Sequence, residues 1–264
     1  MQRYFAVDKD LNISDKDKHH IINVMRMKIN DKIEIVYDEK VYLCEINDIS
    51  KKDVSYSVKD IIDVNNELPV KVTIAVSLVN EKKLDFVLQK CTELGIYDFI
   101  LVSSDRSKIK IDGKENKKID RWNTITKEAA EQSHRNIKPI IKGIMPIDEV
   151  SKLDYDLKLT CSTKENEKTI KNVLQNSTNC DRIIIVVGPE GGLTISEEEK
   201  LEKNGFIPVT LGNLILRTET VPMYIMSLIN YEVALWKIWV QYYLNFRIWI
   251  KVVKYYYFWL CLYF

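Results

Sequence analysis

The sequence predicts an α/β fold built on a mostly parallel sheet, preceded by a smaller β-rich unit. Three observations carry this. Residues 1–68 contain short runs that alternate apolar with polar residues. From Lys71 onward, continuous apolar runs alternate with helical spacings. Between them lies Asp63–Pro69 (DVNNELP), a polar, proline-terminated segment suited to a linker.

In the first unit, Lys32–Val36 (KIEIV), Val41–Ile46 (VYLCEI) and Val54–Val58 (VSYSV) have the pattern of half-buried strands. His19–Met27 (HHIINVMRM) has helical spacing through Ile21, Ile22 and Met25. In the second unit, Val72–Val79 (VTIAVSLV) is an unbroken apolar run, as a strand covered on both faces would be. Leu84, Val87, Leu88, Cys91 and Leu94 then fall on one helical face. Tyr97–Val102 is the next strand, and Ile119, Trp122, Ile125, Ala129 and Ala130 mark a second amphipathic helix. Leu157–Thr160 is a short strand, and Arg182–Gly188 (RIIIVVG) is the clearest buried strand of the chain. Ser196–Asn204 follows as a helix, with Glu197, Glu198 and Glu199 where carboxylates favour the positive helix end. Ile207–Thr210 is a strand and Thr218–Tyr231 a last helix.

Composition excludes several classes. At 264 residues and 46% hydrophobic, the chain has material for one large domain or two small ones. The 39 Lys+Arg against 38 Asp+Glu give no strong basic bias toward nucleic acid. Five scattered cysteines, none in a CxxC spacing, argue against a disulfide framework and a zinc knuckle. No apolar run stands behind a basic cluster at the start, so no signal peptide is expected and a cytoplasmic setting is the default.

The composition breaks near residue 232. Residues 233–264 hold half of the chain's aromatic residues and four of its five Trp, with no acidic residue. Lys237, Arg247, Lys251 and Lys254 interrupt the apolar run that a membrane span requires. A basic aromatic helix in a membrane interface is a second reading. The abrupt change favours a third, non-native or disordered sequence, and no function is assigned to this tail.

The chemistry concentrates around glycine. Only eight glycines occur, and Gly188, Gly191, Gly192, Gly205 and Gly212 cluster near the end of the second unit. The segment VGPEGG follows the strongest strand and precedes a helix, where open α/β sheets bind ligands. The strand Ile207–Thr210 ends in a similar loop, Leu211–Arg217 (LGNLILR), and the two loops are expected to form two walls of one pocket. Ordinary tight turns are the alternative. Neither GxGxxG nor GxxxxGK[ST] is present, so a dinucleotide or nucleoside triphosphate is not the natural ligand. There is no HExxH, no GxSxG elbow and no close cluster of His and carboxylates to invite a metal.

GPEGG before an acidic helix, followed by LGNLILRTET, resembles the signature of the RsmE family of SPOUT-class RNA methyltransferases. MQRYF, HHIINVMRMKINDKIEI, KLDFVLQKCTELGI and EAAEQSHRNIKPII match the same family in order, over about residues 1–232. The tail after Glu232 departs from the family pattern. The resemblance implies a PUA-like RNA-binding β-barrel at 1–68 and a SPOUT α/β-knot domain, with a C-terminal trefoil knot, at 71–232. It implies a homodimer that methylates N3 of a specific uridine in 16S rRNA of the small ribosomal subunit, with S-adenosylmethionine (SAM) as cofactor and no metal. The cofactor loops would contain Gly188, Pro189, Glu190, Gly191 and Gly192, then Leu211, Gly212 and Leu216.

Attack by uracil N3 places negative charge on O2 and O4, which a fixed cation would stabilise. Arg217 is the first candidate and Arg135 the second, with Glu219 orienting an arginine or accepting the proton. A structural ion pair is the alternative for Arg217 and Glu219. His134 reads as an exposed helix-end residue. Candidate RNA contacts are Arg3, His20, Arg26, Arg106, Lys108 and Gln132, drawn from two basic clusters and the helix end, although charge runs are often only solvated surface. Competing functions are another SPOUT RNA methyltransferase, a non-catalytic RNA-binding or ribosome-assembly factor, and an inactive product.

Overall fold

The computed structural model describes residues 1–107, 115–177 and 180–232. The tail at 233–264 and Lys108 therefore lie outside the described residues.

Four strands form the first sheet, in the order β1 (Gln2–Phe5), β2 (Lys32–Tyr37), β3 (Lys40–Ile49) and β4 (Val54–Ile62). Strand β1 runs parallel to β2, and the other pairs are antiparallel. The β2–β3 turn is tight, with Asp38 and Glu39 at φ of 48° and 62°, the left-handed geometry that two-residue hairpins require. Tyr4, Ile21, Ile33, Ile35, Cys44 and Ile46 form its core. The helical spacing around His19–Met27 takes the form of α1 (Asp15–His19) running into a π-helical turn, His20–Val24. Ser14 caps α1 through a capping box with Asp17.

Six parallel strands form the second sheet. In chain order they are β5 (Lys71–Ser77), β6 (Asp98–Ser103), β7 (Ile140–Pro146), β8 (Leu157–Cys161), β9 (Arg182–Val187) and β10 (Ile207–Val209). Their spatial order is β10-β8-β9-β5-β6-β7. The helices are α2 (Glu81–Glu93), α3 (Glu115–Gln132), α4 (Ile147–Val150), α5 (Ile170–Asn176), α6 (Ile195–Lys203) and α7 (residues 220–232). Alternate strand residues feed opposite faces: Ile74 and Ile185 join the larger core, whereas Ala75, Ile184 and Val186 join the core that includes Leu201 of α6. Burial on both faces explains why β5 and β9 read as unbroken apolar runs.

Strand β7 is one of the two edge strands, and its mixed burial hides any strand period. The short helices α4 and α5 are likewise without a clear signal in the sequence.

Candidate functional site

Topology decides where the site lies. After β5 the chain passes through α2 to β6, on one side of the sheet order. After β9 it passes through α6 to β10, on the other side. Strands β5 and β9 are hydrogen-bonded neighbours, so a crevice opens between their carboxyl ends. A cavity of about 580 Å³ occurs there, lined by Leu78, Val79 and Lys83 after β5, Arg106 after β6, and Pro189 and Glu190 after β9.

The glycine loop after β9 is a tight turn. Gly192 has φ of +70°, and its N–H donates to the Pro189 carbonyl at 2.9 Å. A Cβ on Gly188 would stand 3.2 Å from both the backbone N and Cγ of Leu193, so glycine is what lets the chain fold back here. Thr194 then caps α6, with Glu197 completing a capping box. The Glu197 carboxylate also accepts the Asp105 N–H at 2.9 Å, which joins the β6 loop to the start of α6. Arg106 donates to the carbonyls of Gly191 at 2.8 Å and Leu193 at 3.4 Å.

A third segment reaches the same place. Lys83 Nζ lies 2.6 Å from Glu190 Oε1 and 3.1 Å from Glu219 Oε2. Burial pushes the Glu219 carboxyl up. A backbone N–H, the Lys83 ammonium and the Arg217 charge outweigh that and hold it below the ordinary range. Glu219 is therefore ionised at neutral pH and a poor proton acceptor. The contacts with Glu190 and then Glu219 hold the Lys83 pKa above its ordinary value. Although Glu219 Oε2 is close to Lys83, the approach is off the hydrogen-bonding line, and that buried oxygen has no hydrogen bond among the described residues. Arg217 is exposed, while its carbonyl accepts the Thr220 and Val221 N–H groups that open α7.

The two glycine loops expected to wall one pocket follow strands that are not direct neighbours. Strand β8 stands between β9 and β10, which sets their loops about 10 Å apart, two strand spacings. The switch-point cavity, on the other side of the Gly188–Gly192 loop, is walled by the β5–α2 loop. Leu211 and Leu216 pack against the larger core, and Gly212 takes φ of +110° in an exposed turn. On β8 itself, the buried Thr160 hydroxyl has no hydrogen-bond partner among the described residues.

Other candidate residues are placed elsewhere. Arg135 as a catalytic residue is a correction: it is 3% exposed, chelated by Glu67, and donates to the Thr92 and Ile96 carbonyls at 3.2 and 2.5 Å. It ties the linker and α2 to the end of α3, on the amino-terminal side of β6. Arg3 as an RNA contact is a second correction. It is equally buried, pairs with Glu34 at 2.8 Å and donates to the His134 carbonyl at 2.6 Å. His134 has φ of 55° and contacts Glu34 through Nδ1 at 3.1 Å. His20 is half-buried beside the Tyr4 hydroxyl at 3.0 Å, whereas Arg26 and Gln132 are exposed. Among the basic neighbours, Lys18 pairs with Asp53 at 2.8 Å and Lys16 with Glu128 at 3.4 Å, so part of that cluster is neutralised.

Sequence reasoning missed Lys83. At the start of an amphipathic helix it looks like a solvated lysine, and neither carboxylate partner is near it in the chain. Among the described residues no group of His, Cys, Asp and Glu is placed to hold a metal ion. No described helix is long and apolar enough to cross a membrane.

Comparison with known proteins agrees with this architecture. An RNA methyltransferase domain model matches residues 66–230, and an RNA methyltransferase PUA domain model matches residues 13–58. Ribosomal RNA small subunit methyltransferase E of Bacillus subtilis is 38% identical over 251 residues, covering 89% of this chain and 98% of its own. The enzyme of the same name from Mesomycoplasma hyopneumoniae is 31% identical, covering 86% and 98%. A Neisseria gonorrhoeae ribosomal RNA small subunit methyltransferase E solved with S-adenosyl methionine superposes with a TM-score of 0.78 at 28% identity, covering 88% and 97%. A Legionella pneumophila methyltransferase solved with SAM gives 0.81 at 26% identity, covering 88% and 98%. With a β-rich PUA unit, a parallel α/β unit and the glycine loop at its switch point all matched, the chain belongs to the ribosomal RNA small subunit methyltransferase E family of RNA methyltransferases.

Proposed function

We propose that this protein transfers a methyl group from SAM to N3 of a specific uridine in 16S rRNA, acting on the small ribosomal subunit as a cytoplasmic homodimer. Residues 1–68 form the RNA-holding unit and residues 71–232 the methyltransferase, whose C-terminal segment makes a trefoil knot. The observation that carries this reading is the meeting of the Gly188–Gly192 loop with the Arg217–Thr220 segment at the sheet's switch point, bridged by Lys83.

The donor set fits SAM. Gly188, Gly191, Gly192 and Gly212 leave backbone close to an incoming ligand, and Pro189 and Glu190 border the cavity. Among the described residues the buried Glu219 oxygen and Thr160 hydroxyl each lack a hydrogen-bond partner, as expected where a ligand with amino and hydroxyl groups completes the site. Pro189, Glu190, Gly191, Leu211, Gly212 and Leu216 would hold it between the two loops. Bound there, SAM would supply a methyl group on a sulfonium; transfer breaks the S–CH3 bond, forms N3–CH3 and passes the N3 proton to solvent.

The protein's own work is positioning and electrostatics. Arg217, exposed next to the first turn of α7, faces solvent where a uracil oxygen can be met, and stabilises the charge that develops on O2 or O4. Glu219, kept ionised by its cationic neighbours, orients rather than accepts the proton. Arg106 supplies positive charge at the cavity wall, which draws in an anionic backbone. Arg26 and Gln132 are exposed candidates for RNA contact, and Lys108 belongs to the same basic stretch as Arg106.

The test is transfer of a labelled methyl group from SAM to undermethylated small ribosomal subunits, with the product nucleoside identified. Label recovered as 3-methyluridine supports the reading. Label in another nucleoside moves it to a different RNA methylation, and a folded protein that binds subunits without transferring label is an RNA-binding factor.

A further inference from the structure

We propose that Lys83 is a positioning residue of the methyl-transfer site, an ammonium that latches the Gly188–Gly192 loop to the Arg217–Thr220 segment. This rests on the methyltransferase reading above.

Lys83 lies in the first turn of α2, where the helix end is itself positive, so a cation there needs compensation. Two carboxylates from separate parts of the chain provide it. Glu190 is the centre of the glycine loop, with its oxygen 2.6 Å from Nζ. Glu219 precedes α7, with its oxygen at 3.1 Å. Remove the ammonium and two like charges face each other across the loops, one on a buried oxygen. The Lys83 side chain is only 30% exposed, and that of Glu219 17%, so the attraction is not fully screened.

The latch bears on chemistry through Arg217. Only Thr218 separates Arg217 from Glu219, and the Arg217 carbonyl caps α7. Fixing Glu219 therefore fixes where the Arg217 guanidinium stands relative to the cavity that Lys83 also lines. Catalysis by preorganised charge depends on such fixing, and a misplacement of about 1 Å costs about 10²-fold. An ordinary surface ion pair would instead change stability slightly and leave turnover alone.

The full chain should be compared with Lys83→Met and Lys83→Arg. The readouts are SAM affinity, kcat and KM on undermethylated small subunits, and amide hydrogen exchange of the ligand-free protein. Lys83→Met should lower kcat by about 10²-fold with little change in KM for the subunit. Exchange should rise at both residues 188–192 and 217–220, and Lys83→Arg should recover most of the loss. Glu190→Gln, which opens one arm of the latch, should give a smaller loss of the same kind and serves if Lys83→Met does not fold. An active wild type with Lys83→Met equally active, or with faster exchange confined to α2, overturns the latch alone. A folded wild type that neither binds SAM nor transfers methyl overturns the methyltransferase reading and the proposal with it.

Discussion

Arg217 and Arg135 carry the same charge and meet opposite fates. Arg135 is sealed against Glu67 and two carbonyls, with every contact structural. Breaking a buried pair from one side leaves the other charge uncompensated, so Arg135→Met should lower the unfolding free energy by about 3–5 kcal/mol. Denaturant titration measures this, and the fraction that remains folded should bind SAM as wild type does. Arg217 is exposed beside the ionised Glu219. Arg217→Gln should cost turnover instead, by about 10²-fold or more, with unfolding free energy nearly unchanged. Single-turnover methyl transfer reads the chemical step directly, and a loss of stability without loss of rate would assign Arg217 to the structure.

The β9–α6 element shows how local sequence builds the site. A buried strand ends at Val187, a glycine turn reverses the chain, and Thr194 starts α6 with Glu197 closing the capping box. Glu197 is buried and holds the Asp105 backbone as well, so one carboxylate organises two loops at the switch point. Removing the cap hydroxyl in Thr194→Ala should cost about 1 kcal/mol in denaturant unfolding. Because the cap lies at the end of the glycine loop, SAM affinity should weaken alongside. A stability loss with wild-type affinity would separate the helix start from the ligand loop.

Across the whole molecule, the two sheets are joined through β1 and α3 by charge. Lys127 of α3 meets Asp17 at 2.6 Å and Glu131 at 2.9 Å, and Glu131 accepts the Phe5 N–H at 3.1 Å. Arg3 pairs with Glu34 at 2.8 Å, and Asn136 donates to the Glu39 and Val64 carbonyls at 2.8 and 2.7 Å. Such buried polar ties should make the two units unfold together. Scanning calorimetry of the wild type should give one transition, and the double variant Glu34→Gln with Lys127→Met should resolve into two. Two transitions already in the wild type would show that the ties are too weak to couple the units.

Much of the parallel unit was legible in the sequence. Strands β5 and β9 were readable as apolar runs, α2 and α3 as helical faces, and the glycine loop as a tight turn after the strongest strand, because each is encoded by neighbours within one element. The family signature resided in those same local segments. Edge strand β7 was not legible, since partial exposure mixes its pattern, nor was the Asp38–Glu39 turn, which lacks the usual Asn-Gly. What tertiary structure decided was the fate of individual charges. Arg3 and Arg135 look like surface cations in one dimension and are buried in three, while Lys83 looks solvated and joins two loops. The sequence by itself determined the periodicities, the loops and the family. Only the folded chain decided which charged groups meet, because those contacts join residues from 31 to more than a hundred positions apart and no local period records them.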